Sequence, residues 1–113
     1  MKRLPAHWVP HSVRVRPFRG VAGAGPIYGE TYELRPQDGR GVYVEDVREV
    51  VLDADGAEVV SSTRVAMNFE DAPPEKSLIT VWLGTEFERE AMAVKVSRHA
   101  HPNWPGYAEV RLT

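Results

Sequence analysis

Apolar and polar residues alternate with a period of two along several stretches of the chain. In the first of these, Val13 and Val15 alternate with Arg14 and Arg16. This pattern is typical of strands that bury one face and expose the other. Similar runs rich in β-forming residues follow at residues 59–67, 78–83, 92–97 and 108–113.

Turn signals separate these runs and complete the prediction of the fold class. They lie at residues 53–56, 70–77, 84–85 and 102–106. Six or seven strands at this spacing predict an all-β fold, a small β-barrel or sandwich of antiparallel strands. The segment Tyr43 to Leu52 is ambiguous, because Val44, Val47 and Val51 are also spaced as in a short helix. Its β-branched residues and the turn behind it favour a strand.

The segment Arg19 to Gly41 differs from the rest of the chain in its glycine content. It holds six of the nine glycines and shows little hydrophobic periodicity outside Tyr32 and Leu34. We therefore expect a long, flexible connection between early strands. Loops longer than about 12 to 15 residues in a small domain are usually functional or ordered by a partner. An ordinary mobile loop is the alternative.

Length and composition exclude several classes of protein. A chain of 113 residues with 42% hydrophobic residues fits one domain. The absence of cysteine excludes disulfide frameworks, thiolate nucleophiles and Cys-based metal sites. No apolar run reaches the roughly 20 residues of a membrane span, and the first residues lack the apolar stretch of a signal peptide. We therefore expect a soluble protein that is made and used without export.

Charge is distributed unevenly along the chain. Residues 1–20 carry five of the fourteen basic residues and none of the sixteen acidic ones, so this segment is +5 and the remainder is −7. The asymmetry suggests a basic arm that faces nucleic acid or the acidic part of a neighbouring copy. A solvated N-terminus is the alternative. Only Phe18 lies among Arg14, Arg16 and Arg19, so stacking aromatics do not accompany the basic residues and independent DNA binding is disfavoured.

Two histidines could in principle share a metal ion. His99 and His101 are two residues apart and would point to one side of a strand. A third ligand would have to come from His7, His11 or a distant carboxylate. The pair also leads into a turn at Pro102, so a polar loop rim is the favoured interpretation.

Other polar clusters indicate turns and contacts rather than catalysis. The stretch Asp53 to Gly56 begins like a calcium loop but lacks the later acidic ligands, which predicts a hairpin turn. Glu86, Glu88 and Glu90 surround Arg89, which favours solvation or an intersubunit salt bridge over acid/base chemistry. No nucleophile triad or phosphate-binding motif occurs, so we expect no enzyme, no metal and no cofactor. The candidate interface residues are Glu86, Glu88, Arg89, His99, His101 and Trp104.

Seven short pieces follow one another from residue 12 onward. They are residues 12–16, Gly-Pro-Ile-Tyr-Gly at 25–29, Gly-Val-Tyr-Val-Glu-Asp at 41–46, residues 55–63, Pro73 and Ser77 before Thr-Val-Trp-Leu-Gly at 80–84, residues 94–102, and residues 108–112. In this order they resemble the head-to-tail stopper, or head completion, proteins of long-tailed bacteriophages. The similarity covers nearly the whole chain.

The resemblance implies a β-barrel domain at residues 12–113, preceded by an N-terminal extension at residues 1–11. It implies a structural protein of the virion that assembles as a ring of twelve copies beneath the portal and its adaptor. Such a ring closes the DNA channel after packaging and presents a platform to the tail terminator. The expected location is the head–tail interface, after assembly in the host cytoplasm, with no membrane partner.

In the relatives, a long loop between early strands projects into the channel and obstructs the exit of packaged double-stranded DNA. By position this loop falls within Arg19 to Gly41, and the resemblance leaves open which half reaches the channel. The candidate channel residues are Gly25, Pro26, Ile27, Tyr28, Gly29, Arg35 and Arg40. Arg14, Arg16 and Arg19 are candidates for facing DNA or a neighbouring copy.

Two other functions remain open from the sequence. One is a different neck or tail-completion protein, such as a sixfold tail terminator or a helical adaptor. The other is a free-standing OB-like nucleic-acid module or a metal-dependent enzyme.

Overall fold

Nine strands and three short 3₁₀ turns make up the chain, and the computed structural model describes residues 2–113. The strands are β1 (Val13–Arg16), β2 (Phe18–Ala22), β3 (Gly25–Tyr28), β4 (Tyr32–Leu34), β5 (Val42–Leu52), β6 (Glu58–Asn68), β7 (Leu78–Val81), β8 (Arg89–His101) and β9 (Trp104–Leu112). The 3₁₀ turns are Ala6–Trp8, Pro36–Asp38 and Phe69–Asp71. The predicted all-β fold is confirmed.

Seven strands form one antiparallel sheet in the order β4-β1-β7-β8-β9-β6-β5. Strand β8 pairs with β7 in its first part and with β9 along the rest, so it joins the two halves of the sheet. The sheet is not a closed barrel. An isolated bridge between His11 and Val42 links the segment before β1, the second strand in this order, to the start of the end strand β5.

The core is a single cluster of buried side chains and follows the predicted alternation. Val13 and Val15 on β1, Val65 and Met67 on β6, and Val110 on β9 have no exposed surface. Burial of each such side chain contributes about 1.5–3 kcal/mol relative to exposure. Two small polar residues of β6, Ser61 and Thr63, are also buried and hydrogen-bonded. The Ser61 hydroxyl donates to the Leu112 carbonyl over 2.9 Å, and the Thr63 hydroxyl donates to Asp46 over 2.9 Å.

The ambiguous segment is strand β5, as predicted, and the helical alternative is wrong. Val44 is 2% exposed, whereas Val47 and Val51 are only partly buried and lie three and seven residues further on. An odd spacing puts residues of a strand on opposite faces. The valines therefore cover both faces of β5 and do not form one helical stripe.

The glycine-rich segment lies between early strands but is not the long, flexible connection that we expected. It contains the β2–β3 hairpin and strand β4, which pairs with β1 from Val13 to Val15. Gly25 has a φ of +122°, a conformation that other residues rarely adopt, and begins β3 directly after the turn. This segment shows little hydrophobic periodicity, but its glycines make a tight two-stranded hairpin possible.

Residues 2–11 pack along the body of the domain. The Leu4 N–H donates to the Asn68 side chain over 2.6 Å, and Val9 is 4% exposed. A Cβ on Gly41 would lie 2.0 Å from the Val9 carbonyl oxygen, so the close approach of this segment requires glycine there.

Within residues 2–113, no helix has the length and apolar character that crossing a membrane requires.

Candidate functional site

The β2–β3 hairpin is the most prominent candidate element because it pairs only with itself. Its register places Phe18 opposite Tyr28, Val21 opposite Pro26 and Ala22 opposite Gly25. The side chains of Val21 and Ile27 are 72% and 47% exposed. Residues 20–29 carry no charge. The outer part of the hairpin is therefore an uncharged, apolar projection.

The base of this hairpin is fixed to the sheet. The Phe18 N–H donates to the buried Ser77 hydroxyl over 2.9 Å, and the Gly29 N–H donates to the Pro17 carbonyl over 2.8 Å. The Arg16 guanidinium lies 4.9 Å from the centre of the Tyr28 ring. Tyr28 is thus part of the anchor, whereas Ile27 belongs to the exposed part.

The second half of the glycine-rich segment is held against the body. Arg35 pairs with Asp38 over 2.8 Å, and this hydrogen bond raises the pKa of Arg35. Arg40 donates to the buried carboxylate of Asp71 over 3.2 Å. The structure therefore separates the candidate channel residues: Gly25 to Ile27 project, while Arg35 and Arg40 are occupied by ion pairs.

Most basic residues of the N-terminal segment have acidic partners within the same chain. Arg14 pairs with Glu33 on β4 over 3.4 Å, and Arg16 pairs with Glu90 on β8 over 3.5 Å. Across strands, such exposed pairs contribute little stability, typically below about 1 kcal/mol, but they reduce the positive potential available to an outside partner. Within residues 2–113, Arg19 forms no ion pair.

Arg3 pairs with two acids at once. It lies 3.1 Å from Glu70 and 2.7 Å from Asp71, whose side chain is 4% exposed. Asp71 thus receives two guanidinium groups, from Arg3 and Arg40. Sequence patterning did not indicate this cluster, because its members are 31 and 68 positions apart.

The predicted interface residues fall into two separate places. Glu86, Glu88 and Arg89 belong to the β7–β8 connection and the start of β8. Arg89 donates to the Ser62 hydroxyl over 2.8 Å and to the Thr113 carbonyl over 2.9 Å, so it connects β6 to the segment after β9. Beside them, Phe87 is 67% exposed, a surface residue that no sequence pattern indicated.

His99, His101 and Trp104 lie at the β8–β9 hairpin. His99 stacks on Tyr107 with ring centres 4.7 Å apart, and His101 Nδ1 accepts the Asn103 N–H over 3.1 Å. Trp104 is 67% exposed. No group of three or more potential ligand side chains suited to a metal ion occurs among residues 2–113.

The β2–β3 hairpin and the β8–β9 hairpin lie at different ends of the domain. The β5–β6 turn and Lys76 line a common cleft of about 130 Å³, and Lys76 lies 5.7 Å from the Phe18 ring at the base of the β2–β3 hairpin. The β8–β9 turn is nine residues further along β8 than Met92, another residue of that cleft. At about 3.3 Å per residue, this distance approaches 30 Å.

An ion-pair network on the outer face of the sheet was also not predicted. Arg111 pairs with Glu109 over 2.8 Å and with Glu49 over 2.8 Å, the latter without hydrogen-bond geometry. Arg64 pairs with Glu45 and with Glu109, so it connects Glu45 to this network. The hydrogen bond to Glu45 raises the pKa of Arg64. This network neutralises most of the charge on β5, β6 and β9.

No model of a known protein family matches the sequence, and no curated protein shows significant similarity to it.

Proposed function

We propose that the chain is a head-to-tail stopper protein of a long-tailed bacteriophage, a structural ring subunit that retains packaged DNA and supports tail attachment. The observation that carries the proposal is the β2–β3 hairpin, which is anchored at its base and exposes uncharged apolar residues at its end. Exposed apolar residues favour contact with another molecule.

The chemistry of the hairpin suits a gate in a DNA channel. A tip rich in arginine would bind the phosphate backbone and resist the later release of DNA. The uncharged stretch from Gly20 to Gly29 avoids that attraction. Copies of Val21 and Ile27 around a ring could hold neighbouring hairpins together through apolar contacts, and symmetry repeats each contact in every subunit.

The charge pairing argues against a free-standing nucleic-acid module. Such a module needs an unpaired basic face with stacking aromatics. Here Arg14 and Arg16 are bound to Glu33 and Glu90. The exposed aromatics among residues 2–113 are Trp8, Tyr43, Phe87 and Trp104, and none of them lies on β1, the strand that carries Arg14 and Arg16.

Genetic complementation in the phage that encodes the chain tests this function. Without the gene, heads should package DNA, lose it and fail to join tails, and the wild-type gene should restore infectious particles. Tailed, DNA-filled particles that form without the protein would contradict the proposal. A sixfold ring at the end of the tail tube would instead identify a tail terminator.

Two matched variants isolate the role of the hairpin. Ile27→Asp and Phe87→Asp each place a carboxylate on an exposed apolar position, one at the hairpin and one in the β7–β8 connection. We expect Ile27→Asp to cause DNA loss from heads, measured as nuclease-sensitive DNA, because charge repulsion separates neighbouring hairpins. Phe87→Asp should retain DNA; equal leakage from both variants would exclude a special role for the hairpin.

A further inference from the structure

Strand β5 ends the seven-stranded sheet, and the outer part of its edge has no neighbour. At its start the edge is covered by His11, whose backbone exchanges hydrogen bonds of 2.8 and 3.0 Å with Val42. His11 Nδ1 also accepts the Val44 N–H over 3.0 Å. Beyond Val44, β5 pairs only with β6.

The hydrogen bonds at both ends of β5 fix which backbone groups face outward. Val42 and Val44 donate to His11, on the side away from β6. Asp53 donates to Ala57 over 2.9 Å, on the side toward β6. Alternate residues of a strand direct their N–H and C=O groups to the same side. The backbone groups of Val50 and Leu52 therefore point to the open edge.

The side chains at this edge are apolar and exposed. Val50 and Leu52 are 64% and 54% exposed, and Val60 opposite Val50 is 47% exposed. An irregularity in the β5–β6 pairing between Asp46 and Glu49 separates them from the buried Val42 and Val44. The end of the β5–β6 hairpin therefore carries apolar side chains outside the core.

We propose that the open edge of β5 pairs with β5 of a second copy, antiparallel and centred on Val51. Val50 then lies opposite Leu52 of the second copy, and the two residues exchange both backbone hydrogen bonds. By twofold symmetry the same pair forms again on the other side of Val51. Each copy covers the apolar residues of the other.

Charge complementarity favours this register. Arg48 is exposed and forms no ion pair with any of residues 2–113. Centring on Val51 places it beside the turn of the second copy, which carries Asp53 and Asp55. A register centred on Glu49 would instead place Arg48 opposite Val50 of the second copy, away from this turn, and would put two Glu49 carboxylates opposite each other. In the chosen register Glu49 lies opposite Asp53 of the second copy, whose carboxylate already accepts the N–H groups of Asp55 and Ala57 within its own turn.

This pairing does not depend on the proposed function. A twofold contact uses the same surface on both copies, whereas a ring uses two different surfaces. The inference describes the free chain, and its test needs only the purified protein.

Sedimentation of the full-length chain over a range of concentrations tests the pairing. We expect a monomer–dimer equilibrium that Val50→Pro shifts to monomer by more than about tenfold in Kd. Proline removes an N–H that points to the open edge, so the fold should persist, as circular dichroism can verify. Val50→Thr keeps the N–H and should still dimerise. A wild-type chain that stays monomeric to about 1 mM would overturn the proposal.

Two further measurements examine register and charge. The chain has no cysteine, so Val51→Cys introduces a single thiol that should form a disulfide dimer on mild oxidation, while Glu58→Cys should not. Equal cross-linking of both variants would contradict the register. Arg48→Glu and Asp55→Arg should each weaken dimerisation, and the double variant should restore it; failure of restoration would contradict the Arg48–Asp55 contact.

Discussion

At the scale of single residues, the buried carboxylate of Asp71 pairs with two guanidinium groups from distant parts of the chain. It receives Arg3 Nη2 at 2.7 Å and Arg40 Nε at 3.2 Å and so connects the N-terminal segment to the connection between β4 and β5. A sequence pattern places charges on the surface and does not show which of them pair over long separations. This cluster could not have been predicted from one sequence.

Replacing Asp71 should therefore destabilise the fold. Asp71→Asn leaves two guanidinium groups without their carboxylate, and we expect a loss of about 1–3 kcal/mol in the free energy of unfolding. The matched control is Glu70→Gln, which removes the exposed partner of Arg3 and should cost less than about 1 kcal/mol. Urea unfolding compares the two. Equal effects would show that burial of Asp71 does not matter.

The phenol of Tyr32 is expected to lower the free energy of unfolding at alkaline pH. Burial of its phenol raises the pKa above the ordinary value of 10.0, with Arg40 lowering it and Asp71 raising it by smaller amounts. The folded state favours the neutral phenol, so this contribution is fully present below pH 10.0 and is lost as pH rises through the folded pKa.

Tyr32→Phe isolates that contribution, since the hydroxyl makes no hydrogen bond within residues 2–113. We expect the wild type to lose stability faster than Tyr32→Phe between about pH 9 and 12, measured as unfolding midpoints in urea. Parallel curves for the two proteins would contradict a raised pKa.

At the scale of elements, period-two alternation was sufficient to predict the strands of the body. Val13 and Val15, or Val65 and Met67, are buried as the pattern indicates. The β2–β3 hairpin escaped prediction because it buries little, so its residues need no alternation. Its structure depends on backbone conformation and on anchors such as Ser77, which a hydrophobic pattern does not reveal.

Two glycines in this hairpin should respond differently to alanine. Gly25 has a φ of +122°, whereas Gly23 has no such conformation, and a Cβ at either position would meet nothing within 4 Å. Gly25→Ala should weaken the hairpin by about 1–3 kcal/mol through backbone strain alone. Amide hydrogen exchange at Val21 and Ile27 measures this local stability. Gly23→Ala should leave exchange nearly unchanged, and equal acceleration in both variants would exclude strain at Gly25 as the cause.

At the scale of the whole molecule, the charge asymmetry seen in the sequence is real, but much of it is neutralised within the chain. Arg14 and Arg16 pair with acids from the later, acidic part. Local pattern cannot show that β1 lies between β4 and β7, which brings these charges together. The open ends of the sheet and the exposed hairpins likewise follow from topology.

The proposed stopper function depends on where the β2–β3 hairpin points once copies of the chain assemble. The measurement that tests this most directly is a cryo-electron microscopy reconstruction of the native particle that contains the protein. We expect a ring at the head–tail junction, with the residues from Gly20 to Ile27 of each copy directed at the channel axis. Hairpins that lie on the outside of the particle, away from DNA, would contradict the account.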